Sequence, residues 1–318
     1  MKKYVLFLLL LFLVSCHPPA ETKGPAPEEE RAGTENPGEK NAGMEEAEGK
    51  SEENEKTKKE ISSFINPTGE SLLTRIREPE GYFRPEADEA SLLFFLRNRK
   101  LKPDQSPVLL YNGRKKNRQN VHIAVFDLDV GDEDLQQCAD SVMRLYCEYL
   151  WSRGRQEEIA FHLTNGFFMD YPSYREGKRL QISGNETCWS KTAAFDDSYE
   201  TFRRYFRLIM CYAGTLSLEK ESAPAALSDI RAGDLFIQGG SPGHCVMVCD
   251  IAKNSSGDTA FLLGQSYMPA QEFHLLKNPL HEEDPWYYLS ELSFPLLTPE
   301  YSFPEGSFQR WQGWKENY

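Results

Sequence analysis

Among its seven cysteines the 318-residue chain has no Cys-x-x-Cys pair, and none of its six histidines stand at helical i, i+4 spacing. Both absences weigh against a zinc site, and the first also against a thioredoxin-like motif. A basic excess is missing too. Lys and Arg number 36 against 49 Asp and Glu, a net charge of −13, so no nucleic-acid partner is expected, since one would require a basic stripe to neutralise phosphates. Beyond residue 16 no apolar run approaches 18 residues, which excludes a polytopic helical membrane protein. Residues 17–60 contain no Val, Ile, Leu, Phe, Tyr, Trp or Cys, and Met44 is their only large apolar side chain. Their 13 acidic and 7 basic residues give −6, leaving −9 on residues 61–318. Such a stretch cannot bury enough surface to offset its ordering entropy. The aromatic and branched side chains outside the first 16 residues lie almost wholly in 61–318, enough for one large core or two modest ones.

Lys2 and Lys3 precede an apolar run over residues 4–14 that is too short to span a bilayer and reads as an export signal. Leu13-Val14-Ser15-Cys16 resembles a bacterial lipobox. The resemblance implies cleavage after residue 15 and lipidation of Cys16, which would hold the protein to a membrane at the periplasmic or cell-surface face of the envelope. Residues 16–60 are then expected to be a disordered acidic linker with a reach of about 35–40 Å. Residues 61–318 are expected to form a single domain. The other cysteines, Cys138, Cys147, Cys188, Cys211, Cys245 and Cys249, leave the redox state open.

The spacing predicts a short helix over Ala90–Leu96 and strands over Pro107–Tyr111 and Val121–Val130, joined as a hairpin through a basic loop, Arg114–Arg118. The i, i+3, i+4 apolar stripe predicts a helix over Asp132–Arg153. Ile159–Leu163 reads as a strand. Ser198 caps a second helix over Tyr199–Glu219. Strands are predicted at Asp234–Gln238, His244–Ala252, Ala260–Leu263 and Phe273–Leu276, and packed loops over the last forty residues. The fold class is α+β, an antiparallel sheet with two main helices.

Chemistry concentrates in residues 229–271. The loop Gln238-Gly239-Gly240-Ser241-Pro242-Gly243 delivers His244 to the mouth of a strand. Gln265 ends the next strand, where it can orient an imidazole, as a general base requires. Gly239, Gly240, Gly243 and Ser266 are the candidate substrate-binding residues. The order Gly233-Asp234-Leu235-Phe236, His244, Gln265 resembles the second half of papain-like cell-wall hydrolases of the NlpC/P60 and CHAP type. That resemblance implies a papain-like fold, His244 as base and Gln265 as its orienter. Those families place a cysteine at the N-terminus of an upstream helix, where the helix dipole lowers the thiol pKa. At the nearer helix start Asp197 stands where the cysteine would be, and Ser198 is most simply a cap. The earlier helix start, Asp134-Leu135-Gln136-Gln137-Cys138-Ala139-Asp140, carries Cys138 behind two glutamines that can donate to an oxyanion. Cys138 also lies on the apolar stripe, so it is either a core cysteine or the nucleophile.

Over residues 70–300 the chain resembles an exported lipoprotein family with no assigned activity, domain-of-unknown-function family 4846. The resemblance rests on the Cys138 segment, Tyr212-Ala213-Gly214-Thr215-Leu216-Ser217-Leu218, Phe236-Ile237-Gln238-Gly239-Gly240, Pro242-Gly243-His244 and Gln265-Ser266-Tyr267-Met268-Pro269-Ala270-Gln271. Lesser candidates are a metal site of His122, His162, His274 and His244, a carboxylate pair built on Asp127 and Asp129, and sugar stacking by Trp286, Tyr287, Tyr288, Trp311 and Trp314. Gly239–Gly243 is not a phosphate loop, because no Gly-Lys-Ser/Thr ending or helix follows it. No cofactor is expected. The expected function is a papain-like hydrolase or amidase acting on a peptide-containing envelope substrate. The alternative is a non-catalytic module on a degenerate version of that fold, binding a peptide or glycan or serving as an interaction surface in an envelope complex.

Overall fold

The structure, a computed structural model, describes residues 64–313. The expected signal peptide 1–15, lipidated Cys16, linker 16–60 and Trp314 lie outside the described residues. In chain order the elements are α1 (Leu72–Arg75), β1 (Tyr82–Phe83), α2 (Leu92–Arg97), β2 (His122–Val125), α3 (Cys138–Ser152), β3 (Ala160–His162), β4 (Phe168–Asp170), α4 (Tyr171–Arg175), β5 (Lys178–Ser183), β6 (Glu186–Lys191), α5 (Tyr199–Tyr212), α6 (Thr215–Lys220), β7 (Ser222–Pro224), β8 (Leu235–Gln238), β9 (His244–Asn254), β10 (Thr259–Gln265), β11 (His274–Leu276), β12 (Tyr287–Tyr288), β13 (Leu296–Leu297), β14 (Ser302–Phe303) and β15 (Phe308–Trp311). Among the described residues no helix is long and apolar enough to cross a membrane.

The architecture is α+β. Strand β9 is the axis, buried along its first nine residues. Its sequence is nearly continuous in apolar side chains, as a strand covered on both faces requires. The main sheet runs β2-β11-β10-β9-β8-β15-β7, with β1 added to β9 and β12 to β10, all antiparallel. Alternation along β9 splits the core. Cys245, Met247 and Cys249 join the cluster that includes α3 and α5, through Val142, Tyr146, Phe202 and Phe206. Val246 and Val248 join Phe236, Phe261, Leu263, Leu296, Phe303 and Phe308 on the other face, under the C-terminal segments. A buried Asp250 ties α2 to β9, accepting from Arg97 Nε at 2.7 Å and from Arg84 Nε at 2.6 Å.

Four expectations need correction. Pro107–Tyr111 makes only single bridges, Leu109 to Lys115 and Leu110 to Gln271. The Gln119 side chain takes both the N–H and the carbonyl of Val108, replacing a ladder. The hairpin with 121–130 therefore does not form, and β2 pairs with β11 instead. The helix predicted from Asp132 begins at Cys138. The second helix stops at Tyr212, whose carbonyl accepts from the Thr164 N–H and hydroxyl. The chain resumes as α6 after Ala213 and Gly214. The C-terminal region is not loop throughout, since β15 sits between β8 and β7 in the main sheet. Trp311 at its end stacks between Tyr146 and Phe161, at centroid distances of 4.7 and 5.0 Å.

Candidate active site

The late start of α3 decides the position of Cys138. Asp134 Oδ1 accepts from the Ala270 N–H at 2.6 Å and from Gln137 Nε2 at 3.2 Å, and Ser266 Oγ lies 3.3 Å from the Gln136 carbonyl oxygen. These contacts pin residues 134–137 to the loop after β10 and keep them out of the helix. Asp140 then accepts the Gln137 N–H at 3.0 Å and closes the first turn. Cys138 becomes the first residue of a 15-residue helix, where the free N–H groups and the dipole favour an anion.

The Cys138 thiol is half-buried and lines the same cavity as the His244 imidazole, and Cys245 follows His244 directly on β9. The Cys245 bond, the His244 contact and charge, and the Ala139 N–H together hold the thiol well below its ordinary range, against the opposing effect of burial. Cys245 is pushed the other way, by its bond to Cys138 and by burial. Of the two thiols, Cys138 is the one whose surroundings favour the thiolate.

His244 opens β9 as the strand turns back from β8, with Gln238 paired to His244. Gly240 lies in the left-handed region at φ 111°, and a Cβ at Gly243 would fall 2.5 Å from both the Gly240 carbonyl oxygen and Thr215 Oγ1. The loop therefore needs glycine at both positions. The imidazole is 2 % exposed and packs against the rings of Tyr267, Tyr301 and Phe303, at 4.6, 5.0 and 5.8 Å. Its Nε2 lies 2.8 Å from Gln265 Oε1, leaving Nδ1 for the thiol. Gln265 Nε2 donates to Glu300 at 2.8 Å, and the buried Lys116 ammonium pairs with the same carboxylate.

A cavity of about 550 Å³ opens onto the pair, walled by Gln137, Thr215, Gly240, Gly243, Tyr267 and Tyr301 among others. Its acidic side chains are Asp134 and Asp140, and burial holds the Asp140 carboxyl well above its ordinary value, which favours its neutral form. A larger cavity of about 810 Å³, lined by Arg77, Asp104, Lys115, His122 and Lys277 among others, includes none of Cys138, His244 and Gln265. Chemistry therefore points to the smaller one.

Cys138, His244 and Gln265 thus meet, and Gly240 and Gly243 line their cavity. Gly239 does not line it, because its N–H is taken by Glu219 at 2.9 Å. Ser266 is fully buried and donates to the Gln271 carbonyl at 2.6 Å, so it is closed to a ligand. Ser198 caps α5. Asp234 is tied to Arg310 beneath the sheet edge. Of the two glutamines, Gln136 is buried and accepts from Arg144 at 2.6 Å, and only Gln137 faces the cavity. His162 pairs with Glu221 in a different cavity wall, and among the described residues no cluster of metal ligands occurs. Asp127 and Asp129 are exposed and paired with Lys100 and Arg203. Trp286 and Trp311 are buried and so closed to a sugar. The six cysteines in the described residues are free. Tyr267, Tyr301, Lys116 and Glu300 are additions from the structure. Their loop positions carry no periodic signal.

No curated protein and no solved structure matches this chain. A family model does, across residues 72–310, which span α1 through most of β15 and hold the whole constellation. The chain belongs to the family described as Domain of unknown function (4846).

Proposed function

We propose that this protein is an exported, lipid-anchored thiol hydrolase or amidase of papain-like type, held to a membrane through Cys16 and acting on a peptide-containing substrate of the cell envelope. One observation carries the reading. Cys138 is the first residue of a 15-residue helix and shares a cavity wall with a buried His244, whose Nε2 bonds Gln265 at 2.8 Å. A core cysteine needs neither a helix N-terminus nor an oriented imidazole, whereas a nucleophile uses both.

In the proposed cycle the Cys138 thiolate attacks an amide carbonyl carbon, forming a C–S bond and an oxyanion. The Gln137 amide and the N–H groups of the first helical turn, which line the cavity, are the donors this reading assigns to that oxyanion. As the C–N bond breaks, His244 passes its Nδ1 proton to the leaving amine. Water then attacks the thioester, giving one proton to His244. The acid product leaves, and the thiolate–imidazolium pair is restored. Asp134 lines the cavity and the domain carries −9, which favours a neutral or cationic peptide over an anionic glycan.

The test has two arms. Iodoacetamide alkylation of Cys138 in the intact chain is expected to stay fast below the ordinary thiol range and to slow in His244→Ala. Incubation with peptidoglycan fragments is expected to release new amino groups, and Cys138→Ala to stop the release. Alkylation of Cys138 that tracks an ordinary thiol, together with binding but no cleavage of those fragments, would replace this reading with the non-catalytic module.

A further inference from the structure

The chain of groups behind His244 has a directional logic. His274 is fully buried, and its Nδ1 lies 2.8 Å from the Glu272 carbonyl. A carbonyl only accepts, so Nδ1 carries the hydrogen and His274 Nε2 presents its lone pair. Burial and the nearby Lys116 charge keep His274 neutral, pushing its pKa well below the ordinary value. That lone pair lies 3.5 Å from Gln265 Nε2, and Glu300 Oε2 lies 2.8 Å from the same nitrogen. The Glu300 carboxylate is an acceptor and is held by Lys116, whose side chain is 7 % exposed and also lies over the Tyr267 ring. Gln265 Nε2 thus faces two acceptors. Were the amide flipped, its oxygen would meet a carboxylate and a lone pair in a buried site, at a cost no donor offsets.

From this arrangement we infer that Glu300, anchored by Lys116 and assisted by His274, is a positioning residue that fixes which nitrogen of His244 is the base. With its NH₂ group committed to Glu300 and His274, Gln265 can offer only its oxygen to His244 Nε2 at 2.8 Å. Nε2 must then carry the hydrogen, and Nδ1 is left with the lone pair beside Cys138. The control runs through four side chains that never touch the substrate cavity's thiol. It rests on the reading of His244 as the base for Cys138, and the experiment separates the two.

In the full chain carrying Cys138→Ala, the ¹⁵N shifts of His244 report the neutral tautomer with no catalysis involved. The parent is expected to show the Nε2–H form alone. Adding Glu300→Leu removes the acceptor and is expected to bring in the Nδ1–H form. Glu300→Gln restores an acceptor oxygen and is expected to recover the parent shifts, which a merely structural loss would not do. If leucine cannot be accommodated, Glu300→Ala removes the same acceptor with less bulk and is read in the same way. With Cys138 present, Glu300→Leu is expected to slow iodoacetamide alkylation about tenfold or more, with Glu300→Gln close to wild type. An unchanged ¹⁵N pattern in a folded Glu300→Leu or Glu300→Ala protein overturns the inference, as does an Nδ1–H parent. A slow, ordinary Cys138 in the wild type would overturn the hydrolase reading alone and leave the tautomer result standing.

Discussion

Replacing Gln265 with Leu tests whether the polar chain behind His244 is held together at this one residue. The side chain is fully buried and makes two 2.8 Å hydrogen bonds, accepting at Oε1 from His244 Nε2 and donating from Nε2 to Glu300. Leucine fills a similar volume, so the packing loss is small and the cost is polar. A buried neutral donor on His244 left without an acceptor costs about 1–3 kcal/mol, and a charge-assisted bond to Glu300 contributes about 1.5–3 kcal/mol. Lys116 still neutralises Glu300, and burying leucine in place of an amide recovers part of the loss. The expected net destabilisation is about 2–4 kcal/mol. For a domain of this size each kcal/mol lowers the melting temperature by about 2–4 °C, so calorimetry should register a fall of about 4–16 °C. Alkylation of Cys138 should slow in the same sample, because His244 loses its orienting partner. A variant that melts within about 1 °C of wild type and alkylates at the wild-type rate would show that Gln265 neither supports the fold nor orients the imidazole, and the reasoning would fail.

Gly243→Ala should destabilise by about 1–3 kcal/mol and blunt Cys138 alkylation, since its Cβ would meet two backbone oxygens and displace His244; wild-type urea unfolding and wild-type alkylation together would refute the close fit. Asp250→Ala should cost about 3–5 kcal/mol in urea unfolding, because it leaves the buried Arg97 guanidinium with backbone carbonyls alone and Arg84 with Glu78 as its remaining carboxylate; a loss under about 1 kcal/mol would show that these charges reach water. Asp140 binds its proton more tightly folded than unfolded, so its contribution is complete below the ordinary carboxylate value of 3.8 and is lost as pH rises towards the folded value. Asp140→Asn keeps an acceptor for the Gln137 N–H and cannot ionise, so its melting temperature should decline less across that range; an unchanged pH slope would place the titration elsewhere.

What could be read from the chain alone was local. His244 and Gln265 are legible because a tight β8–β9 turn and the antiparallel β9–β10 hairpin bring their strand ends together. Ser266 was misplaced for a related reason. It follows Gln265 directly, yet a strand turns successive side chains to opposite faces, and its hydroxyl points to the Gln136 and Gln271 carbonyls. The start of α3 was not legible. Leu135 and Cys138 continue the apolar stripe of the helix, so periodicity carries the helix back past both. The bond that ends it there, Asp134 to the Ala270 N–H, joins residues 136 apart. That one contact decides whether Cys138 is a mid-stripe core residue or a helix N-terminus, which explains why the sequence left both readings standing. Glu300 and Lys116 are 184 residues apart, each in irregular chain, and no spacing rule pairs them.

The way polar groups are buried separates structural ties from the candidate site. Asp250 with Arg84 and Arg97, and Asp234 with Arg310, are charges with every oxygen engaged. They fasten α2 and β15 to the sheet, and completely paired charges of this kind hold geometry without further chemistry. Around the first turn of α3 the pattern is different. Gln136 Nε2, Asp140 Oδ1 and Ser141 Oγ are buried without a hydrogen-bond partner, within three residues of Cys138. Unpaired buried polar atoms are uncommon and each costs about 1–3 kcal/mol. A helix start chosen for stability alone would carry apolar or fully capped residues at these positions. Other unpaired atoms are scattered through the described residues, among them His122 Nδ1, Tyr171 Oη and Ser307 Oγ, whereas these three fall together at the start of α3, beside the cavity that Cys138 and His244 line. A cluster of this kind beside a helix start is what the proposed role of Cys138 would leave in the fold.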